Sequence, residues 1–206
     1  MSIGDHYFSS APESVPNFRP FTAALAGIPR ELVTASGIFC PERIDTGTQV
    51  LLDHVPPAPP GGQLLDLGCG WGPLALTLAL DAPRATVWAV DVNTRALDVV
   101  RANADRLGLD NIIAALPSDV PEDITFTTIW SNPPIRIGKT SLHELLTSWI
   151  PRLEPDSDAW LVVQRNLGSD SLHRWLESNF PNVTTTRAAT AKGYRVLRAR
   201  HHHAFS

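Results

Sequence analysis

Along the chain, short blocks of consecutive apolar residues alternate with longer stretches in which apolar positions recur every third or fourth residue. The blocks at residues 63–67 and 86–90 carry almost no polar alternation, the pattern of strands buried on both faces. Residues 73–80 and 93–107 read as helices, the second with Asn93 as N-cap and Gly108 where it stops. Further strands are predicted at 111–116, 127–130 and 159–163, with helices at 141–150 and 170–180. Strands separated by helical segments imply βαβ crossovers, and hence a doubly wound, mostly parallel α/β sheet with helices on both faces. Two last strands, near 183–187 and 194–199, lie close enough in sequence to pair antiparallel, which brings the sheet to seven strands.

The first 55 residues are punctuated by Pro12, Pro16 and Pro20 and contain one short apolar stretch at 31–34 and a helical pattern at 46–55. Pro56-Pro57-Ala58-Pro59-Pro60-Gly61-Gly62 suits a stiff connector ending in a flexible pair. The expected organisation is a short N-terminal extension, residues 1–55, packing on a ligand-binding domain at 61–206. At 206 residues, 43% hydrophobic and 18% charged, the chain has the material for one α/β core and too much for disorder. No apolar run reaches the ~18 residues of a membrane span, and residues 1–6 lack a signal-like pattern, so a cytoplasmic protein without membrane contact is expected. Cys40 and Cys69 alone make neither a disulfide framework nor a cysteine-only metal site, and no structural metal is expected.

Net charge is −4, which argues against a general nucleic-acid binder. Residues 187–206, however, hold five basic residues and no acid, leaving twelve basic and 21 acidic residues in the rest. A polyanion would therefore be met locally, with Arg195, Arg198 and Arg200 as phosphate contacts, unless these side chains brace the terminal strands. His201-His202-His203 reads as a frayed tail.

The strongest chemical signal is Asp66-Leu67-Gly68-Cys69-Gly70-Trp71-Gly72, between a strand and a helix start. Glycines there let the backbone turn tightly against a ligand, and the helix beyond offers free N–H groups. A dinucleotide fingerprint would place its third glycine at position 73, which is Pro73, and no Gly-Lys-Ser/Thr follows for a P-loop. Asp91 closes the next strand, where a carboxylate can accept both hydroxyls of a ribose, and Asp119 follows the third strand, placed to receive an adenine amine. Taken alone, Asp119 reads first as an ordinary loop residue. In Ser131-Asn132-Pro133-Pro134, the two prolines stop a strand and stiffen the backbone, so the Asn132 amide and the Pro133 carbonyl form a preorganised pair of acceptors for an NH₂ group. Cys69 reads as a small filler rather than a nucleophile, and Trp130 and Trp160 as core.

Together, Asp66 to Gly72, Asp91 and Asn132-Pro133-Pro134 resemble class I S-adenosylmethionine-dependent methyltransferases of the amino-methylating type. Ser36-Gly37-Ile38-Phe39, Arg43-Ile44-Asp45-Thr46-Gly47-Thr48 and Lys192-Gly193-Tyr194-Arg195-Val196-Leu197-Arg198-Ala199 narrow the resemblance to the catalytic domain of bacterial 16S ribosomal RNA guanine-N2 methyltransferases, the small-domain family, over about residues 33–200. The resemblance implies S-adenosylmethionine as cofactor and RNA as substrate. It places Asp66, Gly68, Cys69 and Gly70 around the methionine part, Asp91 and Val92 at the ribose, Asp119 near the adenine, and Thr48 at the pocket entrance. Asn132, Pro133, Pro134 and Ile135 become the catalytic loop. Ile135 departs from the usual aromatic, and no second, degenerate methyltransferase-like domain of the kind larger members carry is expected. A protein glutamine or small-molecule amine is the alternative substrate, since the same loop grips any planar NH₂; a non-catalytic cofactor-binding module is the other alternative.

Overall fold

The structure, a computed structural model, describes residues 17–134 and 138–203. In chain order, β1 (Arg19–Leu25) and β2 (Ile28–Thr34) form a hairpin, followed by α1 (Thr46–Leu52), β3 (Gln63–Leu67), α2 (Pro73–Asp81), β4 (Thr86–Val90), α3 (Thr94–Leu107) and β5 (Ile112–Ala115). Then come β6 (Phe126–Ser131), α4 (Lys139–Trp149), β7 (Leu153–Gln164), α5 (Ser169–Asn179), β8 (Val183–Ala191) and β9 (Tyr194–His201). The main sheet has seven strands in the order β5-β4-β3-β6-β7-β9-β8, with β3 to β7 parallel and β9 antiparallel to both β7 and β8. This is the doubly wound sheet expected from the sequence. Strand order reverses between β3 and β6, which opens a crevice at their carboxyl ends.

Alternation along the strands divides the core. Leu65, Leu67, Ile129 and Leu161 face α4 and α5 through Leu142, Leu146, Leu172 and Leu176. Leu64, Val87, Trp130 and Val162 face α1, α2 and α3 through Val50, Leu74, Leu78 and Val100. α2 is apolar all round, and every residue from Pro73 to Ala79 is buried. A helix of that composition needs cover on its outer side as well. The β1–β2 hairpin supplies it, packing Leu25 and Leu32 with Leu76, Trp71 and Val99, while Phe21 meets Trp71 edge to face at 5.1 Å. The latch is Asn103 of α3, fully buried, which accepts from the Val33 N–H at 2.7 Å and donates to the Val33 carbonyl at 3.0 Å.

Three expectations are corrected. The apolar stretch at 31–34 is the end of a hairpin, whose turn holds Ala26 and Gly27 at φ 48° and 75°; the sequence carries no Asn-Gly or Asp-Gly to announce it. β7 begins at Leu153 rather than 159, because Pro155 and the left-handed Asp156 (φ 61°) are absorbed where the β6–β7 register shifts. His201-His202-His203 is not frayed: His201 pairs with Val183, and the His202 N–H donates to the Asn182 carbonyl at 2.8 Å.

Replacing Asn103 by alanine strands both polar groups of Val33 inside the protein. Asn103→Ala is expected to lower stability by about 2–4 kcal/mol, read as a shift in urea midpoint with little change in far-ultraviolet circular dichroism.

Candidate active site

At the switch point the chain turns from β3 into α2 through Gly68, Gly70 and Gly72, all at positive φ (79°, 54° and 93°), a path that side chains with a Cβ follow only under strain. Two carboxylates hold this turn. Asp66 Oδ2 accepts from the Ala75 N–H in the first turn of α2 at 2.8 Å, and Asp91 Oδ2 accepts from the Gly70 N–H at 2.9 Å. Asp91 Oδ1 accepts from the Asn93 N–H at 2.9 Å. Both carboxyls line a cavity of about 280 Å³, together with Thr48, Gly68, Cys69, Gly70, Val92, Asn132 and Pro134.

Asp66 is 1% exposed, and its Oδ1 is buried without a partner among the described residues. Burial pushes its pKa up to about 8; the Ala75 N–H pulls the other way and the Asp91 charge adds to the rise. Burial likewise raises Asp91, against hydrogen bonds from the Asn93, Gly70 and Val92 amides. The Cys69 thiol is pushed well up by burial, then by Asp91 and Asp66, which keeps it protonated and inert and fits a filler.

The opposite wall is built around Asn132. Ser131 Oγ, one residue earlier, donates to the Leu67 carbonyl at 2.7 Å and fastens the end of β6 to the end of β3. Both hydrogens of the Asn132 amide are engaged: Nδ2 donates to Asp45 Oδ1 and Oδ2 at 3.1 and 3.0 Å and to Thr48 Oγ1 at 3.0 Å. With three acceptors gathered around the nitrogen, Oδ1 must point away from them. Asp45 is the N-cap of α1; it also accepts from the Gly47 N–H at 2.9 Å, from the Thr48 N–H and from the Thr48 hydroxyl. The loop carrying Asp45 is tied down by Asn93 Nδ2 to the Gly37 carbonyl (2.9 Å), Arg95 to the Ser36 carbonyl (2.9 Å) and Trp71 Nε1 to the Arg43 carbonyl (3.3 Å).

The structure thus brings together most of the residues singled out from the sequence, with qualifications. Thr48 borders the cavity, but its hydroxyl is committed to Asp45 and Asn132. Pro133 is buried beside Asn132 and is not on the cavity wall, whereas Pro134 is. Asp119 is exposed and accepts from Ser118 Oγ at 3.1 Å; Pro117, not Asp119, lines the cavity. Ile135 lies outside the described residues. Asp45, Phe39 and Trp71 are wall residues that sequence reasoning left unassigned or only suggested; the signal for Asp45 was its position as a capping aspartate before Thr46-Gly47-Thr48.

The basic terminal strands prove to be braced. Arg198 grips Asp158 with two nitrogens at 2.7 and 3.1 Å, Arg200 reaches the same carboxylate at 3.1 Å, and Arg187 and Arg195 both hold Asp170. Of the five cations counted there, Lys192 alone has no acid partner among the described residues. The expectation that Arg195, Arg198 and Arg200 contact phosphates is therefore withdrawn.

A family model described as "Methyltransferase small domain" matches residues 29–198. The chain is 31% identical over 201 residues to the uncharacterized protein YbxB of Bacillus subtilis, covering 96% of this chain and 99% of that protein. It is 36% identical over 126 residues to ribosomal RNA small subunit methyltransferase C of Stutzerimonas stutzeri, covering 61% of this chain and 38% of the relative. Among solved structures, a 16S rRNA N2 guanine methyltransferase of T. thermophilus, in complex with AdoMet and guanosine, superposes with a TM-score of 0.76 at 26% identity, covering 93% of this chain and 52% of that one. The chain spans about half or less of the length of these ribosomal RNA methyltransferases. Among the described residues no helix is long and apolar enough to cross a membrane.

The raised Asp66 pKa has a measurable consequence. The folded state holds a proton that the unfolded chain releases near its ordinary value of 3.8, so this group's contribution to stability falls as pH rises from about 4 to about 8. Asp66→Asn should gain on the wild type across that window, by at most about 1.4 kcal/mol per pH unit, in parallel urea titrations; parallel pH profiles for the two proteins would refute it.

Proposed function

The chain belongs to the methyltransferase small domain family, and from that premise we propose that it methylates the exocyclic N2 amine of a guanine in 16S ribosomal RNA with S-adenosylmethionine as donor. The observation that carries the reading is the Asn132 amide, whose two N–H groups are consumed by Asp45 and Thr48, leaving Oδ1 as a fixed acceptor beside the glycine turn. Both the guanine and the ribosomal subunit are supported by the names of relatives that this chain matches.

The residues present fit the donor. Asp91 keeps lone pairs toward the cavity after holding the Gly70 and Asn93 amides, and these suit the two ribose hydroxyls. The unpartnered Oδ1 of Asp66 suits the amino group of the methionine part. Val92 and Pro117 border the cavity where the purine would lie. When bound, S-adenosylmethionine supplies a methyl group already activated on a sulfonium, so the protein need only align the partners and exclude water.

Asn132 Oδ1 accepts an amine hydrogen and thereby helps to localise the nitrogen lone pair. With the donor bound, the nitrogen held by Asn132 would face the activated methyl, whose carbon–sulfur electron pair would return to sulfur on transfer, and the surplus proton on nitrogen would leave to solvent. Asp45 acts one step back, as a positioning residue that stops the Asn132 amide from rotating. Phe39, 43% exposed at the cavity mouth, offers the base an aromatic face that position 135 does not.

Asp91→Ala is expected to weaken S-adenosylmethionine at least about tenfold by calorimetry, through loss of charge-assisted hydrogen bonds; unchanged affinity, or tighter binding of NAD, would count against this donor. Asn132→Ala should cut kcat by on the order of 10²-fold with donor affinity nearly intact, and Asp45→Ala should lower kcat in the same direction by about tenfold, as expected for a group acting through another. With labelled donor, unmodified 16S RNA and 30S subunits should acquire N2-methylguanine, scored by nucleoside mass spectrometry. Label appearing only in protein from the same extract would replace the guanine by an amide.

A further inference from the structure

We infer that single-stranded RNA docks on a rim of four exposed cations, Arg43, Lys139, Arg165 and Lys192, around the carboxyl end of the sheet. The inference rests on the RNA substrate proposed above and deepens it.

These residues come from four separate connections that converge on the site. Arg43 lies two residues before Asp45, and its carbonyl accepts from Trp71 Nε1. Lys139 opens α4, whose Ser141 and Leu145 line the main cavity. Arg165 follows β7, and its N–H donates to the Gly193 carbonyl at 2.8 Å, which places it against the β8–β9 turn that holds Lys192. That turn sits on the first turn of α1, because a Cβ on Gly47 would stand 2.9 Å from Tyr194 Cε1. All four cations are exposed, and none has an acid partner among the described residues.

The acids are distributed the other way. On the carboxyl edge, Glu42 is paired with Arg19 at 3.2 Å and Asp170 with Arg187 and Arg195, while the exposed Asp119 stands beyond β5, at the far end of the sheet from β7, β8 and β9. The exposed Asp81, Asp105, Asp110, Glu122 and Asp123 all lie at the amino ends of the strands, with Arg84 and Arg106. A chain of net charge −4 thus presents a polyanion with a cluster of unpaired cations at the edge bearing Asn132.

A second cavity of about 280 Å³ adjoins the rim, bordered by Lys139, Leu142, His143, Val163 and Leu167, the last 51% exposed. An apolar slot beside cations suits an unstacked base with its phosphates outside. This favours RNA, which brings a planar base and its phosphate in every residue, over a run of acidic side chains.

The test is binding of a fluorescein-labelled, unmodified single-stranded RNA carrying the 16S target sequence, followed by anisotropy over a range of salt. The variants are Arg43→Gln/Lys139→Gln/Arg165→Gln/Lys192→Gln and a control of similar charge loss, Arg84→Gln/Arg106→Gln/Arg174→Gln, taken from exposed arginines away from the rim. The rim variant should bind at least about tenfold more weakly near 0.1 M salt, and the slope of log K against log salt should shrink by about 3, at ~0.7 per phosphate. The control should stay within about twofold, and both should keep wild-type affinity for S-adenosylmethionine, which certifies their fold. If the fourfold variant misfolds, Arg43→Gln/Lys192→Gln and Lys139→Gln/Arg165→Gln should each lose about half of the slope. Wild-type RNA binding that the rim variant retains, or that the control loses equally, overturns the surface and leaves the substrate standing. Absence of salt-dependent RNA binding by the wild type overturns both. Rim-dependent binding of polyglutamate as tight as that of RNA replaces RNA by an acidic protein partner.

Discussion

The burial of α2 on two sides is the constraint from which the site follows. A helix with the sequence Pro-Leu-Ala-Leu-Thr-Leu-Ala-Leu cannot be left with one face in water, and the sheet covers only one face. The hairpin that covers the other must be held in place, and Asn103 does so through both polar groups of Val33. Its exit then runs across the start of α3, where Asn93 and Arg95 catch the backbone at Gly37 and Ser36. The chain arrives at Asp45 with its position already set, and Asp45 sets Asn132. The Asn132 amide is thus oriented by an N-terminal segment that contributes nothing to the parallel sheet.

Electrostatics inside the cavity point to a cationic occupant. Asp45, Asp66 and Asp91 all line it, and burial raises the pKa of both Asp66 and Asp91. Asp66 and Asp91 are costly to ionise together unless positive charge enters with the ligand. A donor carrying an ammonium and a sulfonium supplies two such charges. Methyl transfer removes the second and leaves the ammonium.

Much of this was legible in the sequence for a physical reason. β3 and β4 lie in the middle of the sheet, are buried on both faces, and carry apolar runs whose ends coincide with the strand ends. The glycine turn and Asp91 were legible because a tight turn at positive φ needs glycine and the strand end beside it sets Asp91 on the Gly70 amide. The hairpin was not, since Pro20 and Pro29 lie inside its strands and Ala26-Gly27 is a weak turn signal. Nor was the role of Asp45, which depends on contact with a residue 87 positions away; periodicity reports on neighbours three or four apart and is blind to that distance. Asp119 shows the reverse error: a strand-end aspartate at the expected tip is carried on a 3₁₀ turn to the surface.

Charge counted along the chain misled for a related reason. Arg198 and Arg200 project from the same face of β9, and the strand pairing sets Asp158 directly opposite Arg200, so both guanidiniums close on one carboxylate some forty residues earlier. The guanidinium of Arg198 also lies over the Trp160 ring at 5.6 Å, which uses its remaining face. A run of +5 in sequence is therefore largely paired in space, four arginines closing on Asp156, Asp158 and Asp170. Conversely, Arg43, Lys139, Arg165 and Lys192 are scattered over 150 positions and look like background until topology gathers them at one edge of the sheet. What attracts a polyanion is the set of cations left over after internal pairing, and that set is a property of the fold.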